Sequence, residues 1–367
     1  MTVAGFEVAV LDRLPPRTDG LRRAEGGRRL AGIAPRGNWL VVSYITVVRN
    51  AATTLPRTLA SVRAQRGAAV EHIVIDALSD DGTLAVIEAH AEQIDYYVSE
   101  PDSGLYDALN KAMSLVRGSL VCVLNADDWL AADAAALAIR ALRQADPQPE
   151  APAARLILSA AWLQNRGRRR LWLPGPLDVG SWLRCPNLCH NGVYATPAAL
   201  KVAGPYDTRL RIVADTRWLL ANVEAGVTLH AIAAPTVHYV TGGLSGDSKR
   251  HVQECALLLA HRFPALHDEE VWALLHAFYP WASNLEPFAD RRPHDLGQAL
   301  QALAVRHTAD TTLQTSLRVA GFAAQQGHAR RVRMRRPWRV ELQRGMARAW
   351  YELRDRLGGL RWRNPAA

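Results

Sequence analysis

The chain has 367 residues, 49% of them apolar, with a formal net charge of +9. That length leaves room for one large globular domain and an appendage. No run approaches the roughly 18 uninterrupted apolar residues of a membrane span, and the N-terminus lacks the basic start and apolar core of a secretory signal.

The four cysteines, Cys122, Cys185, Cys189 and Cys255, suggest no disulfide framework, which fits a reducing cytoplasm. The charge is uneven. Residues 328–363 hold 12 Arg against Glu341, Glu352 and Asp355, a net +9 that equals the excess of the whole chain. The main body is formally neutral, so the basicity describes a tail and not the ligand of the body.

Residues 1–38, rich in Gly, Pro and Arg, read as a loose extension. Residues 39–48 are apolar and β-branched and read as a first strand. A helix is expected over 53–65, with Leu55, Leu59 and Val62 at helical spacing and Thr53 as its cap. A second strand, 70–75, ends at Asp76, and a helix follows over 82–91. A short strand at 96–98, a helix at 105–116 and a strand at 120–124 complete the first half. Alternating strands and helices imply a mostly parallel sheet flanked by helices, with ligands beyond the carboxyl ends of the strands.

The second half is less regular. Strands are expected at 156–161, 228–232 and 236–241, a basic turn at 166–170, and helices at 215–223 and 247–262. From about residue 271 the pattern is helical.

The most informative stretch is Val121-Cys-Val-Leu-Asn-Ala-Asp-Asp128, an apolar run that stops at two adjacent carboxylates. Two anions side by side suit a divalent cation bridged to phosphates. The competing reading is a turn in which Asp127 or Asp128 caps a helix over 130–142. Two more segments are likewise rich in Asp and punctuated by Gly. They are Asp76-Ala-Leu-Ser-Asp-Asp-Gly-Thr83 and Ser99-Glu-Pro-Asp-Ser-Gly-Leu-Tyr-Asp-Ala-Leu-Asn-Lys111. Both join a strand to a helix, whose free N–H groups suit phosphates or sugar hydroxyls.

In these motifs, and in Ile45-Thr-Val-Val-Arg-Asn50, Ile212-Val-Ala-Asp215 and Gly242-Gly-Leu-Ser245, residues 41–255 resemble the inverting family 2 glycosyltransferases of GT-A fold. The likeness is greatest to the branch related to colanic acid biosynthesis transferases. The resemblance implies an α/β GT-A catalytic domain over 39–265 and a helical C-terminal region over 266–367. It implies a nucleotide-sugar donor, a glycan or polyprenyl-linked acceptor, and Mn²⁺ or Mg²⁺. Asp76 would lie against the nucleoside. Asp127 would contact ribose or metal, and Asp128 would hold the metal on the donor diphosphate. Asp215 would be the general base, against a plain reading as a helix N-cap. Asp102, Tyr106, Asn110 and Lys111 fall in the motif that lines the donor cleft, and His190 would face acceptor or diphosphate.

The sequence also departs from the family. Ala77 stands where many members carry an Asp that recognises uracil, which loosens the assignment of a UDP-sugar. Asn125 replaces an acid often found two residues before Asp127, and Asn191 replaces the usual Gln. No Gln-x-x-Arg-Trp motif appears, which argues against a processive synthase.

Cys185, Cys189 and His190 offer a weak zinc pattern. In the tail, Trp338, Leu342, Met346, Trp350, Leu353, Leu357 and Leu360 recur every three or four residues among arginines. Such a helix suits an anionic membrane surface, or packs on the domain with its arginines in solvent. A nucleotidyltransferase is a second enzyme reading, but residues 48–54 carry no Gly-rich triphosphate loop. A nucleic-acid-binding protein is a third, but no nucleic-acid module accompanies the tail, so no nucleic-acid partner is expected.

Overall fold

The structure is a computed structural model, and it describes residues 10–33, 41–145, 153–243, 246–279, 285, 289–291 and 293–321. Residues 1–316 form one compact unit and 317–367 a second. The expected basic amphipathic helix of the tail lies outside the described residues, as do Leu244 and Ser245.

Four parallel strands carry the first half: β2 (Val41–Val48), β3 (Ala69–Asp76), β4 (Tyr96–Ser99) and β5 (Leu120–Val123). They lie in the order β4-β3-β2-β5. Their Val- and Ile-rich runs are buried on both faces, as parallel strands under helices must be. Ile45, Ile73 and Ile75 are fully buried, each stabilising the fold by about 2 kcal/mol.

The connecting helices are α1 (Leu55–Arg63), α2 (Thr83–Ala89) and α3 (Leu105–Met113), followed by α4 (Ala134–Ala145) after β5. Leu55 and Leu59 of α1 and Ile87 of α2 share a core with Val48 and Val74. Ala134, Ala138 and Leu142 of α4 pack with Val42, Tyr44 and Leu120.

Beyond β5 the sheet continues through β9 (Val193–Ala195), β7 (Arg155–Asn165) and β10 (Thr228–Val240) to β6 (Trp129–Leu130) at the edge. β9 is antiparallel to both β5 and β7, and β10 is parallel to β7. A hairpin strand, β8 (Arg168–Trp172), pairs with β7 where a basic turn was expected. The two strands expected at 228–232 and 236–241 are one strand. Its register shifts around Pro235, which has no N–H for the ladder and sits at a bulge.

Within the mostly loose extension expected over 1–38, residues 10–33 include one short strand. There β1 (Ala24–Gly26) pairs antiparallel with β4 and closes the other edge of the sheet.

The remaining helices of the first unit include α5 (Ser181–Arg184), α6 (Pro197–Ala203), α7 (Ala214–Glu224), α8 (Ser248–Arg262), α9 (Asp268–Phe278) and α10 (Leu296–Arg306). None of the described helices is long and apolar enough to cross a membrane.

Candidate active site

Asp76 and the Asp127–Asp128 pair both stand at the carboxyl edge of the parallel strands. Neither member of the pair caps a helix. The strand β6 follows them directly, and α4 begins only at Ala134. The capping alternative is therefore removed.

The two carboxylates are not equivalent. Asp128 is fully buried. Its Oδ1 accepts the Val240 N–H at 2.6 Å, and its Oδ2 accepts from the Asn125 amide at 3.3 Å and from the Asn191 amide. Burial pushes its carboxyl up to about 8; the Asp127 charge adds to this, and the donated hydrogen bonds oppose it. Asp127 is half-buried and is raised mainly by desolvation, with Arg57 opposing. Asp127 is thus the carboxylate presented at the strand end, and Asp128 fixes the turn that presents it.

Trp129 locks this turn from outside. The Arg57 guanidinium lies 3.7 Å from the centre of its ring, and His238 stacks at 4.8 Å and 5°. Arg57 also donates to the Asp127 carbonyl at 2.8 Å.

Among the described residues no group of three or more His, Cys, Asp or Glu converges as a metal cage. The strand end does carry the Asp127 carboxylate and the Asn125 amide, whose nitrogen donates to Asp128 at 3.3 Å. Hard oxygen donors in that number fit Mg²⁺ or Mn²⁺ completed by phosphate oxygens and water. The zinc pattern is split. Cys185 Sγ lies 3.8 Å from His251 Nε2, whereas Cys189 is buried beside Cys122.

On the other side of β2, Asp76 is also fully buried. It accepts from the Ser79 N–H at 3.2 Å, the Ser79 hydroxyl at 2.5 Å and the Ser99 hydroxyl at 2.6 Å. These bonds tie it to the loop 77–82 and to the end of β4. That loop is stitched to the one after β2. The Asn50 N–H donates to the Ser79 hydroxyl at 2.8 Å, and the Asp80 N–H to the Asn50 amide oxygen at 3.0 Å. Asn50 and Leu78 both have positive φ, at 54° and 53°. Such backbone in a bulky residue like Leu78 persists only where the surroundings hold it.

The 99–111 motif divides likewise. Asp102 is half-buried, accepts the Gly104 N–H at 2.9 Å and is raised by desolvation, with Lys111 and Arg49 among the opposing influences. Two other candidates, Tyr106 and Asn110, brace the loop 205–213, and Lys111 braces the start of its own motif. Tyr106 donates to the Ile212 carbonyl at 2.5 Å, and the Asn110 amide pairs both ways with the Tyr206 backbone at 2.8 and 2.9 Å. Lys111 donates to the Pro101 carbonyl at 2.7 Å and faces Glu100 at 3.0 Å. Arg211 reaches back to the Ser103 carbonyl at 2.6 Å, across Gly104. A Cβ there would collide with its guanidinium, and Gly104 has φ of +129°, so the position requires glycine.

Asp215 occupies the first turn of α7 but is not its N-cap, which is Val213. It accepts the N–H of its neighbour Thr216 at 2.6 Å. Its charge acts on Tyr106, Cys189, His190, Tyr206 and His251. His190 Nε2 lies 3.0 Å from the Tyr206 hydroxyl, and burial pushes the imidazole down, Asp215 opposing. The turn 189–192 is common ground: the charges of Asp128 and Asp215 both raise the Cys189 thiol, after burial itself.

Sequence reasoning missed Glu254. It is buried on α8 and accepts the N–H groups of Arg211, Ile212 and Val213 at 2.9, 2.8 and 3.1 Å. It thereby fixes the entry to α7 and the height of Asp215. The one signal was an acid on the buried stripe that includes Cys255, Leu258 and Leu259.

Comparisons with known proteins agree with this architecture. An uncharacterised glycosyltransferase of Mycobacterium tuberculosis is 32% identical over 196 residues, covering 52% of this chain and 72% of that one. A PGL/p-HBAD biosynthesis glycosyltransferase of Mycobacterium bovis is 28% identical over 177 residues, covering 47% of this chain and 66% of that one. Among solved structures, S. aureus TarS superposes with a TM-score of 0.51 at 14% identity. That match covers 68% of this chain and 45% of TarS, and it bears on the fold alone. The model of the family described as Glycosyl transferase family 2 matches residues 43–177. With a GT-A-like sheet, carboxylates at its carboxyl edge and a relative of this identity and coverage, the chain belongs to glycosyltransferase family 2.

Proposed function

We propose that the protein transfers a sugar, with inversion, from a nucleotide-sugar donor to a hydroxyl of a glycan or polyprenyl-linked acceptor. One observation carries this reading: the turn 189–192 gives Asn191 to the Asp128 carboxylate, and its His190, hydrogen-bonded to Tyr206, feels the charge of Asp215. A displacement needs a cationic anchor for the leaving diphosphate and a base for the incoming hydroxyl, and in this reading the Asp127–Asp128 strand end and Asp215 fill those two roles.

In this reading Asp127, with Asn125, holds Mg²⁺ or Mn²⁺ while Asp128 keeps the turn in place. The cation would neutralise charge gathering on the diphosphate. The loops 77–82 and 99–104 form the nucleoside side of the cleft. Asp215 removes the acceptor proton, and His190 with Tyr206 borders the place where that hydroxyl enters. Back-side attack on the anomeric carbon inverts it.

A UDP-sugar is the first candidate donor. TarS has been solved with UDP-GlcNAc on a fold of this kind, with a TM-score of 0.50. Ala77 provides no carboxylate for uracil, so a guanine or thymidine donor belongs in the same test. The M. bovis relative's part in PGL/p-HBAD biosynthesis supports a biosynthetic transferase. For the colanic-acid-like branch and for a membrane-facing tail, the support is the sequence.

A thermal-shift panel of UDP-, GDP- and dTDP-sugars, each with and without Mn²⁺, tests the reading. Metal-dependent stabilisation by one donor is the expected result. No response to any member of the panel refutes the assignment.

A further inference from the structure

The N-terminal segment does more than close the sheet edge. The Arg23 N–H donates to the Ser99 carbonyl at 2.8 Å, and β1 continues that pairing along β4. The register seats two consecutive arginines against the two loops of the nucleoside side. Arg23 Nη1 donates to the Ser79 carbonyl at 2.6 Å. Arg22 grips Glu100 with two donors, Nε at 2.9 Å and Nη2 at 2.7 Å.

Ser79 is the pivot of its loop. Its N–H and hydroxyl go to Asp76, its hydroxyl accepts from Asn50, and its carbonyl is the group that Arg23 holds. The strained residue Leu78 directly precedes it. Glu100 is the pivot of the other loop. Its carboxylate is buried and sits between Arg22, Arg17 at 3.9 Å and Lys111 at 3.0 Å, while its N–H returns to the Asp76 carbonyl at 3.0 Å. A buried carboxylate keeps its place only while such partners remain.

We infer that residues 21–26 are a built-in wall of the donor site, in which Arg23 and Arg22 are positioning residues for nucleotide binding. Neither side chain needs to touch the ligand. Arg23 sets the loop 77–82, and Arg22 sets the start of 99–104. The inference rests on the proposed donor site, and its consequence is specific: loss of either arginine weakens nucleotide binding and leaves the chemical step alone.

The test is calorimetric titration of the full chain with UDP, GDP and dTDP in Mg²⁺, together with steady-state kinetics on whichever nucleotide sugar turns over. Arg23→Ala is expected to weaken binding about three- to tenfold. It should raise the donor KM by the same factor and leave kcat within about twofold. Arg23→Lys, which keeps a cationic donor of shorter reach, should recover part of the loss; it also serves as the readout if the alanine variant does not fold. Arg13→Ala, which breaks an exposed pair with Glu25 on the same segment, should change nothing. Equal nucleotide affinity in wild type and both Arg23 variants overturns the inference while the donor site stands. Failure of the wild type to bind any of the three nucleotides overturns the donor site, and this inference with it.

Discussion

Asn191 donates its side-chain amide to the buried carboxylate of Asp128, joining the strand end that carries Asp127 to the turn that carries His190. The residue that replaces the family's usual Gln is therefore a structural partner of the acid pair. With Asn125 and the Val240 N–H, it surrounds a carboxylate that is fully buried.

That burial makes the metal-free protein sensitive to pH. The Asp128 carboxyl is raised from 3.8 to about 8, so between those values the folded state holds a proton that the unfolded state has released. Its contribution to stability is fully present below 3.8 and is lost as pH rises toward 8. In chelator, the melting temperature of the wild type relative to Asp128→Asn should fall by at least about 5 °C from pH 5 to pH 8. Parallel melting curves for the two proteins would remove the raised carboxyl from the account.

Asp127 is the presented carboxylate, so its loss should show in metal dependence first. Chelation should abolish transfer, and Mn²⁺ or Mg²⁺ should restore it. Asp127→Ala should raise the metal concentration needed for half-maximal activity at least about tenfold, with folding preserved. Titration of activity against metal concentration reads this directly. An unchanged midpoint would move the cation elsewhere.

Glu254 offers a separate handle on Asp215. Glu254→Gln keeps an acceptor for part of the 211–213 backbone but loses the charge that holds three N–H groups. The expected outcome is a fall in kcat of about tenfold, the scale on which a small displacement of a reacting group is felt. Nucleotide affinity should stay within about twofold, the reverse of the pattern expected for Arg23. Steady-state kinetics and titration on one preparation separate the two.

Much of this site was legible in the sequence because strand ends announce themselves. Apolar runs stopping at Asp76 and before Asp127 placed both at the ligand edge, and their order implied the parallel sheet. The direction in which each side chain points was not legible. Asp76 and Asp128 are both buried and hydrogen-bonded to Ser79, Ser99, Asn191 and Val240, partners up to 112 residues away that no local pattern announces. Tyr106 and Asn110 brace backbone 106 and 96 residues away, and such long-range partners leave no periodic trace. The N-terminal segment looked loose because β1 has only three residues, too few for a pattern of alternation. One strand read as two, 228–232 and 236–241, because the bulge at Pro235 that joins them depends on the register against β7.

In the proposed displacement Asp215 is the base and Asp127 the donor anchor. The direct test is single-turnover transfer by Asp215→Asn beside titration of the same variant with nucleotide and Mn²⁺. The account expects transfer to fall at least about 100-fold while nucleotide affinity stays at the wild-type value. Near-normal transfer by Asp215→Asn would contradict it.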